Sequence, residues 1–145
     1  GASAELLRFM GYEAVGSEGA TMRFAKSKGN NANHLDIETV AGGKRAKQGA
    51  GSVHHIAFSV ADAAAQRKVR KALIETGYQV TPQIDRDYFQ AIYFRSPGGI
   101  LFEIATDAPG FDADEDRASL GSALKLPKQH EHLRAELEAE LEPLD

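Results

Sequence analysis

The stretch Gly51-Ser-Val-His-His-Ile-Ala-Phe-Ser-Val-Ala-Asp62 places two adjacent histidines at the head of an apolar run. Its apolar residues recur at every second position, which predicts a half-buried strand over 53–60. The aspartate that ends the stretch is a typical N-cap, so a helix is predicted directly after the strand. Successive strand side chains face opposite sides of a sheet. If Ile56 and Phe58 pack under the helix, His55 therefore faces the other side among small neighbours, and His54 falls on the Ile56 side or at the frayed end of the strand.

Two segments of the chain repeat one plan, in which a short amphipathic helix ends at a glycine and a tyrosine then enters a strand. The copies are Glu5–Val15 and Lys71–Val80, and Gly11 and Gly77 stand where a glycine most often ends a helix. Alternating segments that predict further strands follow each copy. These strands are predicted at 21–25 and 34–38 after the first copy, and at 88–94 and 100–105 after the second.

Only the second copy is preceded by a predicted strand. The sequence therefore predicts an α+β fold of two βαβββ modules, of which the first lacks its leading strand, with a helical C-terminal tail. The predicted parts are a truncated first module at 1–40, a linker at 41–52, a complete second module at 53–107, and a C-terminal loop with helices at 108–145. The tail helices are predicted at 117–124 and 127–141.

Composition narrows the classes of partner. With 145 residues and 42% hydrophobic content, the chain is long enough for one compact domain with a core. A net charge of -4 and scattered Lys and Arg residues argue against a nucleic-acid partner. No apolar run approaches the roughly 20 residues that span a bilayer, so we expect a soluble protein without a membrane partner. The absence of cysteine fits a cytoplasmic protein. Because the chain has no cysteine, any metal site must use His, Asp, Glu or Tyr.

Glu103 lies between large apolar residues in the last predicted strand. A buried carboxylate without a partner meets a large desolvation penalty, so Glu103 needs a cation beside it. That cation is either a metal ion or the guanidinium of Arg95 or Arg86. His55 also has two interpretations, because a histidine at the head of a strand is often an ordinary hydrogen-bonded or solvent-facing residue.

Three motifs together resemble a known superfamily. They are the run from His55 to Asp62, the sequence Glu-Thr-Gly-Tyr at 75–78, and the sequence Ile-Tyr-Phe-Arg-Ser-Pro-Gly-Gly-Ile-Leu-Phe-Glu at 92–103. The pattern resembles the vicinal oxygen chelate superfamily, which includes glyoxalase I, bleomycin and fosfomycin resistance proteins, and extradiol dioxygenases. The resemblance implies that paired βαβββ modules form a curved mixed sheet. The longer segment at 85–111 is similar to the C-terminal half of bacterial ring-cleaving dioxygenases of the hydroquinone type.

The resemblance implies that His55 and Glu103 are metal ligands and that Tyr93 is a catalytic residue that hydrogen-bonds the bound phenolate. It also implies a mononuclear Fe(II) site with two histidines and one carboxylate, Mn(II) being the alternative ion. The other histidine would come from the leading strand of the preceding module, which this chain lacks. By the internal repeat, Asp36 corresponds to Glu103 and is a weaker candidate for an extra ligand.

The implied substrates are a small dihydroxylated aromatic compound and O2, with Tyr88, Phe89 and Leu101 as candidate pocket walls. Two other functions stay open on the sequence. One is a glyoxalase-type isomerase that uses Zn, Ni or Mn as a Lewis acid. The other is a non-catalytic module that binds an aromatic ligand, although such members commonly lack the pair formed by His55 and Glu103.

The start of the chain bears on these expectations. It has no initiating methionine and opens inside a helical pattern, which indicates that a preceding segment was cut away. A missing strand exposes a sheet edge, and exposed edges pair with other strands. We therefore expect a homodimer, with weak or absent metal binding by the fragment, so activity is expected of the full-length protein and the fragment can be inactive.

Overall fold

The computed structural model describes residues 1–27, 33–44 and 47–142, so parts of the predicted linker and of the predicted tail lie outside the described residues. The regular elements follow one another as α1 (Ala2–Phe9), β1 (Glu13–Glu18), β2 (Thr21–Ala25), β3 (His34–Glu38), β4 (Ile56–Val60), α2 (Ala63–Glu75), β5 (Ile84–Asp85), β6 (Phe89–Arg95), β7 (Leu101–Pro109) and α3 (Arg134–Glu140). Short 3-10 helices at Phe111–Ala113, Arg117–Ser119 and Lys128–Leu133 join β7 to α3.

The strands form two sheets. The first has the order β1-β2-β3, and β2 pairs antiparallel with both neighbours. The second has the order β4-β7-β6-β5, so its leading strand lies beside its last strand. The prediction of an α+β fold built from two such sheets and a C-terminal helix is confirmed.

The internal repeat is visible in how α1 and α2 end. Gly11 and Gly77 follow the two helices with φ angles of 85° and 93°, which a glycine adopts without steric cost. The amide of the tyrosine after each glycine donates to a carbonyl in the last helical turn, that of Leu7 or Leu73, at 3.0 Å in both cases. Both helices therefore end in the same Schellman-type turn.

The predicted N-cap of α2 is also confirmed. The carboxylate of Asp62 accepts a hydrogen bond from the amide of Ala65 at 2.7 Å. This bond satisfies one of the amides that the first helical turn leaves unpaired.

Some elements are shorter than the sequence predicts. The strand predicted at 53–60 begins only at Ile56. The carbonyl of His54 just before it accepts a hydrogen bond from the side chain of Gln48 at 2.7 Å. The strand predicted to start at Tyr78 is reduced to an isolated bridge at Val80, followed by the two-residue β5.

The predicted helices of the tail are mostly 3-10 turns. The segment 117–124 is helical only at Arg117–Ser119, because Gly121 adopts a φ of 78° that a right-handed helix does not accommodate. The predicted helix at 127–141 starts as a 3-10 helix at Lys128–Leu133 and becomes α-helical only at Arg134–Glu140. No helix in the described part of the chain has the length and apolar character needed to cross a membrane.

The chain divides into two compact units, Gly1–Ala57 with Tyr93–Glu103, and Phe58–Ile92 with Ile104–Asp145. These limits differ from the predicted module boundaries, which stay a prediction. Each unit has its own buried side chains. In the first unit they include Leu6, Leu7, Phe24, Phe94 and Phe102, and in the second Leu73, Ala91, Ile92 and Ile104.

Candidate metal centre

His55 lies immediately before β4, on the side of the sheet that the alternation predicts. Within β4, Ile56 and Phe58 are half-buried and Ala57 is exposed. The imidazole of His55 belongs to the exposed series, yet its side chain is only 37% exposed. A neighbour from another strand therefore covers part of the ring.

That neighbour is Glu103 on β7. Its carboxylate oxygen Oε2 lies 2.8 Å from Nε2 of His55, and its side chain is 4% exposed. The other oxygen, Oε1, accepts a hydrogen bond from the hydroxyl of Tyr93 at 3.0 Å. The strands that carry Tyr93 and Glu103 are neighbours in the sheet, and both residues belong to the first unit, as His55 does. The structure thus brings together the imidazole, the carboxylate and the phenol that the sequence singled out.

Arg95, one of the two arginines named as alternative partners of Glu103, makes other hydrogen bonds. The guanidinium of Arg95 donates to the carbonyl of Gly99 at 3.0 Å and to Oε1 of Gln48 at 2.8 Å. The backbone amide of Arg86 donates to the carbonyl of Phe89. The carboxylate of Glu103 contacts an imidazole through Oε2 and a phenol through Oε1.

A second histidine contacts His55. The Nδ1 atoms of His54 and His55 lie 2.9 Å apart, and the two rings meet edge to face with centroids 5.2 Å apart. In a neutral imidazole one nitrogen carries the proton and the other accepts, so one proton lies between the two Nδ1 atoms. If Nδ1 of one ring carries this proton, Nδ1 of the other ring accepts it. The tautomer of His55 therefore depends on the tautomer of His54.

The donors present fit a divalent metal in part. An imidazole nitrogen and a buried carboxylate oxygen converge at 2.8 Å, and this N/O donor set suits Fe(II) or Mn(II). Among the residues that the structure describes, no group of three or more His, Asp or Glu side chains is placed to hold an ion. The described chain supplies two donors in one place.

Asp36, the candidate extra ligand, is engaged by Arg23 across the β2–β3 pair. Its two oxygens accept hydrogen bonds from Nε and Nη2 of Arg23 at 2.8 and 2.7 Å. These hydrogen bonds hold the pKa of the Asp36 carboxyl below its usual value. Asp36 would have to leave this bidentate pair to bind an ion, and its role as a ligand stays a prediction.

The candidate pocket residues fall into both units. In the second unit, the rings of Tyr88 and Phe89 pack against Phe111, with centroids 5.3 and 6.1 Å away. Phe111 is 63% exposed, so the cluster presents an aromatic surface. Leu101 opens β7 in the first unit and is half-buried. Their assignment to a substrate pocket stays a prediction.

The phenol of Tyr88 has an acidic partner, because its hydroxyl donates to Oδ2 of Asp114 at 3.0 Å. Desolvation raises the pKa of Tyr88 above its usual value, and the hydrogen bond to the Asp114 carboxylate raises it further. A tyrosine with a raised pKa binds its proton more tightly in the folded state. Its contribution to stability is therefore present at neutral pH and is lost as the pH rises through the folded-state pKa.

Asp114→Asn is expected to lower the pKa of Tyr88 without returning it to the usual value. The amide keeps a hydrogen-bond acceptor but removes the negative charge, and the desolvation remains. Carbon NMR of tyrosine labelled at Cζ, followed through a pH titration, measures the shift. A pKa of Tyr88 that is identical in the two proteins would contradict this assignment.

A cleft of about 580 Å³ opens in the first unit, but it does not include the candidate centre. It is lined mainly by α1, by β3 and by Ile56, Ile100 and Phe102. Ile56 and Phe102 directly follow or precede His55 and Glu103 in the chain, so strand alternation directs them to the opposite side. The size of the cleft therefore does not identify the candidate metal site. The chemistry of His55 and Glu103 identifies it instead.

The residues that surround the two candidate ligands are not evident from the sequence. His54, predicted on the Ile56 side or at a frayed strand end, lies just before β4, where its ring contacts the ring of His55 and its carbonyl accepts a hydrogen bond from Gln48. The sequence around Gln48 does not indicate a role in the site, because Gln48 lies in a Gly- and Lys-rich linker. The sequence suggests Arg95 only as a possible partner for Glu103. In the structure its guanidinium donates a hydrogen bond to Gln48.

A comparison with family models gives the class of protein. Residues 8–104 match the Glyoxalase/Bleomycin resistance protein/Dioxygenase superfamily. The chain belongs to this superfamily, which the sequence motifs predicted.

Individual relatives are more specific. The chain is 45% identical over 144 residues to "Putative ring-cleaving dioxygenase MhqO" of Bacillus subtilis, covering 99% of this chain and 46% of that protein. It is 39% identical over 126 residues to "Chlorohydroquinone/hydroquinone 1,2-dioxygenase" of Sphingobium indicum, covering 84% and 39%. A crystal structure of a "putative dioxygenase" from Bacillus subtilis matches with a TM-score of 0.90 at 43% identity, covering 99% of this chain and 46% of that chain. The chain thus spans less than half the length of these relatives.

Proposed function

We propose that this chain carries the metal-holding part of a ring-cleaving dioxygenase, which opens a dihydroxylated aromatic ring with O2 at a mononuclear Fe(II). The observation that carries the proposal is the 2.8 Å approach of the His55 imidazole to the buried carboxylate of Glu103. The similarity to ring-cleaving and hydroquinone dioxygenases supports the reaction class.

In this proposal Nε2 of His55 and the carboxylate of Glu103 hold the ion. A bound Fe(II) supplies a site at which the hydroxyls of the ring and O2 are held side by side. The third protein donor comes from a second copy of the chain or from a longer protein that contains it. An outside donor is consistent with the described residues, which place two donors together and no group of three.

Tyr93 has two proposed roles. Its hydroxyl donates to Oε1 of Glu103, which fixes the rotation of the carboxylate and directs Oε2 toward His55. When a substrate is bound, the half-buried phenol can turn its single hydroxyl proton from Oε1 of Glu103 to an oxygen of the ring and donate that proton as the ring opens. Tyr93 therefore positions a ligand and serves as a proton donor.

His54 is proposed to set the tautomer of His55. A metal on Nε2 of His55 requires that nitrogen to be unprotonated, so the ring proton must lie on Nδ1. Nδ1 of His54, 2.9 Å away, can accept a hydrogen bond from that proton. In the metal-free geometry the proton on Nε2 instead donates to Glu103.

Oxygen uptake by the native protein that carries this chain tests the function. After anaerobic loading with Fe(II), addition of hydroquinone or catechol is expected to consume O2 and to give a ring-opened product that contains both atoms of isotopically labelled O2. Tyr93→Phe is expected to lower the turnover number at least about 100-fold when the variant is measured at saturating Fe(II), with an iron content equal to that of the wild type. Turnover of a hemithioacetal without O2 consumption would contradict the proposal and favour a glyoxalase-type isomerase.

A further inference from the structure

A line of side-chain hydrogen bonds joins the turn between β6 and β7 to the backbone beside His55. Arg95 donates through Nη1 to the carbonyl of Gly99 at 3.0 Å and through Nη2 to Oε1 of Gln48 at 2.8 Å. Gln48 in turn donates through Nε2 to the carbonyl of His54 at 2.7 Å. All these residues belong to the first unit. We call this line the Arg95–Gln48 relay.

The relay is anchored in a turn with its own hydrogen bonds. The amide of Gly99 donates to the carbonyl of Ser96 at 2.9 Å, and the hydroxyl of Ser96 accepts from the amide of Ile100 at 3.1 Å. Ser96 and Gly99 are both buried. This turn joins the strand of Tyr93 to the strand of Glu103, so the relay starts from the hairpin that carries the carboxylate.

The other end of the relay lies in the segment that leads to His55. Residues 47–55 contain no helix or strand, and Val53 is 78% exposed, so apolar burial contributes little there. The hydroxyl of Ser52 donates to the carbonyl of Gly49 at 2.7 Å and closes the loop between Gln48 and His54. The bond from Gln48 to the His54 carbonyl then ties this loop to the hairpin.

The chemistry of the two side chains suits a rigid link. The guanidinium of Arg95 is a planar fork whose donors point in fixed directions. The amide of Gln48 uses its oxygen toward Arg95 and its nitrogen toward His54, so neither group can rotate without losing a bond. The relay therefore fixes the peptide that carries His55 relative to the strand that carries Glu103.

We propose that Gln48 and Arg95 are positioning residues, which hold His55 at the angle needed to bind a divalent metal together with Glu103. The inference rests on the proposed function, because it concerns the same pair of ligands. Neither side chain touches the ion in this proposal. They act through the carbonyl of His54 and the backbone of His55.

Mn(II) titration and amide hydrogen exchange of the native protein test the relay. Gln48→Met and Arg95→Met are each expected to weaken Mn(II) binding about 10-fold, the range seen when groups that orient metal ligands are removed. Because both residues act through one link, the double variant is expected to bind no more weakly than either single variant. Amide exchange over 53–56 in the metal-free protein is expected to become faster, while the midpoint of thermal unfolding stays unchanged.

Two further variants sharpen the test. Gln48→Glu keeps the acceptor for Arg95 but loses the donor to His54, so it is expected to bind Mn(II) as weakly as Gln48→Met. Gln129→Met removes an exposed glutamine from the tail and is expected to match the wild type in both measurements.

The outcomes separate the relay from the function. If the wild type itself binds no Mn(II) or Fe(II), the proposed function is wrong. The proposed role of the Arg95–Gln48 relay in metal binding is then wrong as well. If the wild type binds Mn(II) and the Gln48 and Arg95 variants bind it equally well, the positioning role alone is wrong. Faster exchange over 53–56 with unchanged affinity would also overturn the positioning role, because the relay is then only structural.

Discussion

His55→Ala and Glu103→Gln are each expected to weaken Mn(II) binding by more than about 100-fold, because groups that merely orient ligands already contribute about 10- to 100-fold. His55→Ala removes the imidazole nitrogen that lies 2.8 Å from Glu103, and Glu103→Gln removes the anionic oxygen. Mn(II) titration followed by electron paramagnetic resonance measures both changes.

The same two variants are expected to differ in their effects on the stability of the metal-free protein. Without His55, the buried carboxylate of Glu103 loses its imidazole partner, which costs about 1–3 kcal/mol. Glu103→Gln removes the buried charge and retains an oxygen toward Tyr93, so the free energy of unfolding is expected to stay within about 1 kcal/mol of the wild type. Urea unfolding measures these differences.

The contrast separates ligand loss from misfolding. A variant that loses metal at unchanged stability has lost a ligand, not its fold. His130→Ala and Glu136→Gln, both exposed on the tail, are matched controls that are expected to change neither property. Wild-type affinity for Mn(II) in either His55→Ala or Glu103→Gln would mean that the ion is held elsewhere.

Gln66→Leu is expected to destabilise the protein by at least about 3 kcal/mol. Gln66 is fully buried on α2, where its Nε2 donates to the carbonyls of Gln90 and Ile104 at 2.8 and 2.7 Å. Its Oε1 accepts from Nε2 of Gln83 at 2.7 Å. Leucine fills much of the space but leaves these groups without their partner, and each buried polar group so orphaned costs about 1–3 kcal/mol. Urea unfolding at neutral pH measures the loss.

Two glutamine variants serve as controls. Gln83→Ala removes one hydrogen bond at a half-buried position and is expected to cost about 1 kcal/mol. Gln129→Leu makes the same chemical change as Gln66→Leu at an exposed position and is expected to stay within about 0.5 kcal/mol of the wild type. Equal stability of Gln66→Leu and the wild type would contradict the role assigned to this buried amide.

Local rules single out His55 and Glu103 as candidate residues, whereas their role as metal ligands is implied by the resemblance to the superfamily and stays a prediction. Period-two alternation put His55 on the face opposite Ile56, and the isolated carboxylate in an apolar strand marked Glu103 as a residue that needs a partner. The glycines after the two helices fixed the repeat, since Gly11 and Gly77 both adopt the left-handed conformation. These signals lie within a few residues of the features that they predict.

The supporting residues could not be predicted because their partners are distant in the chain. Gln48 and Arg95 are bonded across 47 positions, and Gln66 reaches Ile104 across 38. For Gln66 one local signal existed, because it shares a helical face with Val69 and Leu73. A polar residue on the buried face of a helix is best interpreted as a bonded core residue.

Anomalous diffraction at the iron edge, from crystals of the native protein loaded anaerobically with Fe(II), locates the ion itself and so gives the sharpest test of the proposed metal centre. We predict one iron peak within bonding distance of Nε2 of His55 and of the Glu103 carboxylate. Iron bound away from these two atoms, with the direct contact between His55 and Glu103 intact, would show that the pair is not a metal site.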